Sequence, residues 1–371
     1  MSALFSPIHL GSLPLKNRIV ISPMCQYSAD NGRASDWHMQ HLGSLALSGA
    51  GLLIIEATAV ESAGRITYGD LGLWDDATEA ALKPVLAAIR KYSPMPVAVQ
   101  LAHAGRKASS QLPWDGGKQI APDAEKGWQT YSASGLPYTD GYVPPVALDM
   151  AGLQRVKEAF AAAAKRAGRL GIDAIEVHAA HGYLLHQFLS PLSNQRTDDY
   201  GGSLENRLRF PLEVFDAVRA AFPADKPVGI RVSASDWVEG GWDIDQTVEF
   251  VKQLKARGVA WVDTSSGGLS PHQKIALGPN YQVPFAEAVK ATGVTTFAVG
   301  LITEAQQAED IIASGQADCV ALARGVLYDP RWGWHAAARL GGQVSAPPQY
   351  WRSIPHNVKK DLFGEITGGG R

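Results

Sequence analysis

Two imidazoles and one phenol lie within six consecutive positions of this 371-residue chain. His178 is followed by His181 three positions later and by Tyr183 two positions after that. These side chains donate hydrogen bonds and transfer protons. Any one of them alone is as easily an ordinary loop residue. The three together, after a predicted strand, indicate a functional site, because ligands collect outside the carboxyl ends of parallel strands.

The element that positions this cluster is a strand predicted from Ile172 to Val177. It is apolar, β-branched and too short for a helix, which is typical of a parallel strand covered on both faces. Seven further segments have the same character, at Arg18–Ile21, Gly51–Ile55, Pro96–Gln100, Pro227–Arg231, Gly258–Val262, Gly293–Val299 and Ala317–Ala321. Helical periodicity and stop signals predict eight helices, at roughly His38–Ser48, Ala77–Tyr92, Leu153–Leu170, Ser203–Phe222, Asp245–Arg257, Phe285–Thr292, Glu304–Ser314 and Asp329–Leu340. Thr303 with Gln306 predicts a capping box before the seventh helix.

Eight strands alternating with eight helices predict an α/β protein with a (β/α)₈ TIM-barrel fold. We expect a single domain over residues 1–371, with a core at about 18–341 and a C-terminal tail at 342–371. Residues 1–17 predict a hairpin at the bottom of the barrel, and His103–Leu148 forms a long third βα loop of the kind that often covers a site. A doubly wound fold is disfavoured, since no G-x-G-x-x-G follows an early strand.

Composition narrows the possible partners and the compartment. Thirty-four basic and 36 acidic residues give a net charge of −2 with no long run of either sign, so we expect neither nucleic acid nor membrane as a partner. The N-terminus has no basic flank or apolar signal core, which predicts a cytoplasmic protein. Two cysteines, Cys25 and Cys319, are too few for a disulfide framework and are expected to be reduced.

Other polar residues follow the predicted strands and should share a face with the cluster. Gln100 offers an amide that can pair with the edge of a heterocycle, and Arg231 offers a fixed cation. Arg324 lies beside a helix start, where such barrels commonly hold a phosphate. Taken singly, each is as easily a loop amide or a surface ion pair, and Cys25 a small apolar residue. Together they predict a flat, polar, anionic ligand.

Four motifs in this order carry a resemblance to a known family: Ser22–Tyr27, Gln100–Lys107, His178–Leu184 and Ser190–Arg207. The chain resembles the old yellow enzyme family of flavin-dependent ene-reductases, and within it the short bacterial thermophilic-like branch that includes xenobiotic reductases. The likeness extends from Phe5 to about Arg352. One departure is Ala323, where the family usually has Gly before the phosphate-binding Arg.

The resemblance implies noncovalent FMN, with NADPH or NADH as the reductant. It implies cofactor contacts from Ser22, Pro23, Met24, Cys25, Ala57, Gln100, Arg231, Gly300, Ala323 and Arg324. Substrate would face Tyr27, His178, His181 and Tyr183. The two imidazoles would stabilise charge on the substrate oxygen and Tyr183 would deliver the proton, while Cys25 would tune the flavin and the pocket. Both reactants would use one cavity in turn, giving ping-pong reduction of enones, maleimides and nitro compounds.

The tail carries a further implied role. Gln349-Tyr350-Trp351-Arg352 matches the Gln-Tyr-x-Arg ending of the short branch, in which this Arg enters the site of a neighbouring protomer. We therefore expect a homodimer or homotetramer. From Gly341, about eleven steps of ~3.3 Å give a reach of roughly 36 Å, with Pro347 and Pro348 keeping part of it extended. The alternative is an exposed arginine without a role.

Two other functions remain open from the residues. Cys25, His178 and His181 could ligate zinc in a hydrolase, although Gln100, Arg231 and Arg324 would then have no purpose. Alternatively, the barrel could bind flavin or another phosphate ligand without turnover, against which His178, His181 and Tyr183 argue. We expect no metal in this site.

Overall fold

Eight parallel strands close into a barrel in the computed structural model, which describes residues 2–364 of the chain. The predicted fold class is confirmed. In chain order the strands are β1 (Ile8–Leu10), β2 (Leu13–Leu15), β3 (Ile19–Ile21), β4 (Leu52–Ala59), β5 (Val97–Ala102), β6 (Tyr131–Ser132), β7 (Val146–Ala147), β8 (Ala174–Ala179), β9 (Val228–Ser233), β10 (Val262–Ser265), β11 (Thr296–Val299) and β12 (Cys319–Leu322). The barrel runs β3-β4-β5-β8-β9-β10-β11-β12 and closes where Val320 of β12 pairs with Ile19 of β3.

The helices lie between the strands. In chain order they are α1 (Asp36–Leu45), α2 (Asp76–Tyr92), α3 (Met150–Arg169), α4 (Leu184–Leu189), α5 (Leu204–Ala221), α6 (Ile244–Ala256), α7 (Val283–Lys290), α8 (Ala305–Ala313), α9 (Arg324–Tyr328) and α10 (Trp332–Leu340). Two short ones, α4 and α9, were not predicted. All six residues of α4 are buried, so the segment has no polar face and none of the periodicity by which a surface helix is identified.

Side-chain caps fix where several helices begin. Asp75, Asp149, Ser203 and Asp243 each accept a hydrogen bond from a backbone N–H in the first turn of the following helix. The predicted capping box before α8 is displaced by one residue. Gln307, rather than Gln306, accepts from the backbone N–H of Glu304, at 3.4 Å, and of Thr303, at 3.0 Å. Gln306 instead donates to Asp310 one turn later.

The N-terminal hairpin of β1 and β2 closes one end of the barrel, as predicted. Leu10 and Leu15 are buried in one cluster with residues of the barrel interior, among them Trp261 and Phe297. The two aromatic rings stack 5.7 Å apart at an interplanar angle of 10°. Burying each leucine contributes about 1.5–3 kcal/mol. The barrel interior is therefore filled by side chains at the hairpin end, and the polar strand ends lie at the opposite, carboxyl end.

The third βα loop lies between β5 and α3, as predicted, and includes the short parallel pair β6 and β7. Arg106 holds this loop against the barrel. Its guanidinium donates to the carbonyls of Pro137, at 3.1 Å, and Leu269, at 2.9 Å. Since Leu269 follows β10, one side chain links the loop to the far side of the carboxyl end.

The tail folds back on the chain. The partial extension predicted at Pro347 and Pro348 holds for Pro347, with φ of −69° and ψ of 152°, but not for Pro348, because Pro348–Ser353 forms a 3₁₀ helix. Trp334 of α10, Val344 and Leu362 form a small apolar cluster that anchors the segment. The last seven positions of the predicted tail, 365–371, lie outside the described residues.

In the described range 2–364, no helix combines the length and apolar character needed to cross a bilayer.

Candidate active site

The structure brings His178, His181 and Tyr183 together at the carboxyl end of β8. The ring of His178 lies 5.2 Å from that of His181 and 5.1 Å from that of Tyr183, with both pairs edge to face. His178 is buried, and its Nδ1 has no hydrogen-bond partner within residues 2–364. His181 Nε2 lies 2.8 Å from Ser265 Oγ. The three polar groups therefore converge, as their spacing predicted.

Burial and a nearby cation set the protonation of the cluster. Burial lowers the pKa of His178 and of His181 well below the ordinary value, and the positive charge of Arg231 lowers both further. Burial also raises the pKa of the Tyr183 phenol. Both imidazoles are therefore neutral near pH 7, while Tyr183 keeps its proton. A neutral imidazole still carries one N–H donor.

Lys107 lies beside the cluster and was not assigned a role from the sequence. Its ammonium donates to the carbonyls of His181, at 2.8 Å, and Gly268, at 2.9 Å. It also lies 5.0 Å from the ring centroid of Tyr183 and 4.9 Å from that of Tyr138 in the third loop. Burial lowers the pKa of Lys107 to about 8, with Arg106 adding to the effect.

Residues after β3 line the other side of the barrel mouth. Cys25 is half-buried, and burial raises the pKa of its thiol, helped by the carboxylates of Asp70 and Glu56. Tyr27 has a left-handed backbone with φ of 54° and packs edge to face against Trp114 of the third loop, at 5.9 Å. A protonated thiol is a poor nucleophile, so this environment disfavours a nucleophilic Cys25.

Gln100 is held by a buried carboxylate that the sequence did not single out. Its Nε2 donates to Glu176 Oε1 at 2.9 Å, and Trp261 Nε1 donates to Glu176 Oε2 at 3.1 Å. Gln100 and Glu176 are register partners on β5 and β8. The indole reaches Glu176 across Gly229, where a Cβ would lie 2.1 Å from the Trp261 ring. The missing side chain at Gly229 therefore makes room for this contact.

Arg231 lies within β9, next to a second buried carboxylate. Its Nε is 3.2 Å from Asp263 Oδ2, and the two residues are register partners on β9 and β10. The pair is close but poorly aligned, because neither Arg231 Nε nor the Asp263 oxygens complete a hydrogen bond within the described chain. Burial raises the pKa of Asp263 and of Glu176, and Arg231 opposes both shifts.

A cavity of about 180 Å³ adjoins this site between the ends of β11 and β12. Residues lining it include Ser265, Gly300, Ala323, Arg324 and Gly325. Gly300 has φ of 109°, and a Cβ there would lie 2.3 Å from Gln282 Nε2. Ala323, the departure from the family pattern, is half-buried with φ of −114° and ψ of −94°. Arg324 is exposed at the edge of the cavity.

The remaining predicted site residues follow β3 or lie in β4, except Arg352, which lies in the tail. Ser22 is buried with an unpartnered Oγ in the described chain, Pro23 and Met24 are half-buried beside it, and Ala57 follows an irregularity in the pairing of β4. Arg352 is exposed in the tail, and no contact within the described residues connects it to His178 or Tyr183.

The geometry does not support the alternative of a zinc site. Within residues 2–364, no three side chains of the His, Cys, Asp and Glu types are grouped as metal ligands would be. Cys25, His178 and His181 therefore do not form a ligand set.

The closed barrel and its polar carboxyl end define a TIM-barrel protein with a site for a flat, phosphate-bearing ligand. The family model for the NADH:flavin oxidoreductase / NADH oxidase family matches residues 3–341. An NADPH dehydrogenase of Geobacillus thermodenitrificans is 44% identical over 354 residues, covering 95% of this chain and 98% of the relative. One from Listeria innocua is 43% identical over 356 residues, covering 95% and 99%. Among solved structures, morphinone reductase matches with a TM-score of 0.77 and 30% identity, covering 94% of this chain and 92% of that one.

The chain belongs to the NADH:flavin oxidoreductase / NADH oxidase family, in which the old yellow enzymes fall. It is an oxidoreductase of this flavin-dependent type, with FMN as cofactor and NADPH or NADH as reductant. The residues present fit FMN. Ser22 Oγ and His178 Nδ1 are buried polar atoms without a hydrogen-bond partner in the described chain, and a small cavity lined by Gly300, Ala323 and Arg324 lies at the ends of β11 and β12.

Proposed function

We propose that this chain is an ene-reductase that reduces the C=C bond of electron-poor alkenes, such as enones, maleimides and nitroalkenes, by a ping-pong mechanism. The observation that carries the proposal is the convergence of two neutral imidazoles and one protonated phenol in a single cluster. Bound FMN supplies hydride transfer from NAD(P)H and then to the substrate. The remaining steps fall to residues of this chain.

His178 and His181 bind the substrate oxygen. When a hydride adds to the β-carbon, negative charge develops on the carbonyl or nitro oxygen, and donors already in place stabilise that charge more than the ground state. Neutral imidazoles suit this role, because they donate a hydrogen bond without giving up a proton. The depressed pKa of both residues supports it.

Tyr183 delivers the proton to the α-carbon. Its raised pKa keeps the phenol protonated until the substrate becomes a strong base, which is what a general acid for an enolate-like carbon needs. Tyr27 faces the substrate from the opposite wall. Cys25 adjusts the flavin environment and the shape of the cavity.

The cofactor is held by residues from six strands and the segments that follow them. Ser22, Pro23, Met24, Cys25, Ala57 and Gln100 contact the ring system, Arg231 compensates negative charge near it, and Gly300, Ala323 and Arg324 hold the phosphate. The cavity of about 180 Å³ at the last three residues supports this division. The methyl group of Ala323 narrows the approach to the phosphate relative to the glycine usual in the family.

The working protein is a cytoplasmic homodimer or homotetramer with NADPH as its main reductant, and each chain is a single FMN-binding domain. In this proposal Arg352 of one protomer completes the substrate site of its neighbour. Its exposure in the folded tail, with Tyr350 also 39% exposed, supports an available surface for such a contact.

One spectrum tests the proposal. The purified protein should be yellow, its visible absorbance should bleach under anaerobic NADPH, and the absorbance should return on adding 2-cyclohexenone. Colour that does not return with any enone, maleimide or nitroalkene would favour flavin binding without ene reduction and would overturn the proposal.

A further inference from the structure

The turn from His181 to Tyr183 has an unusual backbone. His181 has φ of 59° and Gly182 has φ of 73°, so two successive residues are left-handed, a region that non-glycine residues rarely adopt. A Cβ on Gly182 would lie 2.2 Å from the carbonyl oxygen of Gly268. Such a conformation persists only when its surroundings hold it in place.

Each peptide group of this turn has a partner. The His181 N–H donates to Ser233 Oγ at 2.9 Å, and the His181 carbonyl accepts from Lys107. The Gly182 N–H donates to His186 Nδ1 at 2.9 Å, and the Gly182 carbonyl accepts from Gln187 Nε2 at 2.7 Å. Four side chains from three parts of the chain therefore fix the turn that carries His181 and Tyr183.

His186 is itself held by a buried carboxylate. His186 Nε2 lies 2.8 Å from Asp236 Oδ1, and both side chains are fully buried. The other carboxylate oxygen, Oδ2, accepts from Ser190 Oγ at 2.6 Å and from the Trp242 N–H at 2.8 Å. Burial alone would raise the pKa of Asp236, but the contacts with His186, Ser190 and the Trp242 N–H outweigh it and lower the pKa.

These contacts determine which imidazole nitrogen carries the proton. Because the Gly182 N–H is a donor, His186 Nδ1 must be the unprotonated acceptor, so the proton is on Nε2. The contact between His186 Nε2 and Asp236 Oδ1 is close but not linear, and neither atom has another partner in the described chain. Two lone pairs 2.8 Å apart would repel, which also favours a proton on Nε2 directed toward the carboxylate.

We propose that His186 and Asp236 are positioning residues for the proposed ene reduction, in which Asp236 fixes the tautomer of His186 and His186 holds the turn that places His181 and Tyr183. The proposal rests on the function proposed above. Neither residue touches the substrate. Their effect is geometric, since a displacement of about 1 Å in a reacting group can cost as much as 10²-fold in rate.

Two substitutions of His186 separate this role from simple pairing of a buried charge. His186→Asn places an amide oxygen near the position of Nδ1, so it keeps the acceptor for Gly182 but abandons Asp236. His186→Gln places an amide N–H₂ near the position of Nε2, so it keeps the contact with Asp236 but loses the acceptor. Positioning predicts that Asn preserves function better than Gln. Charge pairing alone predicts the reverse order.

The readout is the rate of reoxidation by 2-cyclohexenone divided by the rate of reduction by NADPH, measured anaerobically on the FMN-loaded enzyme. We expect His186→Gln to lower this ratio about 10-fold or more and His186→Asn to lower it about 3-fold or less. Thermal stability should follow the opposite order, because Asn leaves Asp236 buried without its partner. Equal ratios, or a larger loss for Asn, would overturn the proposal.

Asp236→Asn supplies a second test. The N–H₂ group of an asparagine at this position must point either at the Trp242 N–H, where two donors would repel, or at His186. If it points at His186, Nε2 must accept, so the imidazole proton moves to Nδ1 and opposes the Gly182 N–H. We expect the same fall in the ratio as for His186→Gln. Ser190→Ala is the matched control, because it removes one contact to the carboxylate without changing the tautomer.

A direct measurement keeps the inference separate from the proposed function. In ¹⁵N spectra of histidine-labelled protein, His186, assigned by its loss in His186→Asn, should be protonated on Nε2 and not on Nδ1. A proton on Nδ1 would overturn the inference whatever the enzyme does. If His186 has its proton on Nε2 but the enzyme does not turn over NADPH and an enone, the proposed function is overturned. The role of His186 and Asp236 in ene reduction is then overturned with it.

Discussion

At the scale of single residues, the site combines groups that the sequence could indicate with groups that it could not. His178, His181 and Tyr183 are five positions apart at most, so their spacing alone brings them together. Glu176 lies two positions before His178 on the same strand, and a carboxylate at a position buried on both faces was a signal for a buried partner. Its partner Gln100 is 76 positions away, and His186 and Asp236 are 50 apart, separations at which only the fold reveals a contact.

The first prediction concerns Tyr183. Tyr183→Phe removes the proposed proton donor and keeps the ring, so reduction by NADPH should remain nearly intact. Reoxidation by an enone should slow by roughly 10²-fold or more, a typical contribution of a general acid. Stopped-flow absorbance measures both rates. An equal loss in both half-reactions would point to a disturbed site and remove the assignment.

A second prediction concerns Glu176, which fixes the amide of Gln100. In Glu176→Gln the new amide oxygen must face the Trp261 N–H, so its N–H₂ faces Gln100 and turns the Gln100 amide around. In the proposed site Gln100 contacts the cofactor ring, so the group that it offers to the ring is then reversed. The affinity of the apoprotein for FMN should fall about 10-fold, or about 1.4 kcal/mol.

Flavin fluorescence during titration of the apoprotein measures that affinity. Trp261→Phe is the control, because it removes the donor to Glu176 and leaves Gln100 in place. Unchanged FMN affinity in Glu176→Gln, with Trp261→Phe also unchanged, would show that Glu176 does not orient the amide.

At the scale of elements, sequence patterns located the barrel strands and failed where burial is complete on all sides. All eight predicted strands overlap the observed ones, because short apolar runs between stop signals are typical of parallel strands. The prediction at Gly258–Val262 was placed too early and shares only Val262 with β10. Helix α4 was missed, since Leu184–Leu189 has no polar face. The capping box before α8 was displaced because Gln306 and Gln307 are equivalent in sequence, and only the backbone geometry selects between them.

Packing inside the barrel gives a third prediction. Gly229 of β9 leaves room for the Trp261 indole, and a methyl group there would lie 2.1 Å from the ring. Gly229→Ala should therefore lower the free energy of unfolding by about 1–3 kcal/mol through overpacking. Denaturant titration measures this change.

The matched control is Gly43→Ala in α1, where nothing lies within 4 Å of the added Cβ. Because alanine favours helix, this control should stabilise the protein by about 0.5–1 kcal/mol. If Gly229→Ala left the free energy of unfolding unchanged, the Trp261 indole would have to move aside at no cost. Its contact with Glu176 would then be loose.

At the scale of the whole molecule, the barrel has one end closed by the hairpin and one end open to ligands. The sequence predicted both, because the hairpin precedes β3 and the polar motifs follow the strands. It did not predict how the tail folds. An extended reach was inferred from Pro347 and Pro348, whereas the apolar cluster of Trp334, Val344 and Leu362 anchors the segment to its own chain.

The fourth prediction concerns Arg352 and the assembly. Arg352→Ala should raise the apparent KM for the enone without emptying the FMN site, because the proposed role of this residue is to bind substrate alone. Co-assembled Arg352→Ala and Tyr183→Phe subunits should be more active than either parent, since a mixed pair contains one site with both groups intact. Verified mixed oligomers without recovery would place Arg352 in its own subunit's site or in none.

The central claim is that the site at the barrel mouth reduces an activated alkene, with a hydride added to the β-carbon through bound FMN and a proton added to the α-carbon by Tyr183. The most direct test follows isotopes in a single anaerobic turnover of 2-cyclohexenone, read by NMR of the product. With deuterium on the transferring position of NADPH in ordinary water, the account predicts label at the β-carbon. With unlabelled NADPH in D₂O, it predicts label at the α-carbon of cyclohexanone. An allylic alcohol as product, or solvent deuterium at the β-carbon with none derived from NADPH, would contradict the account.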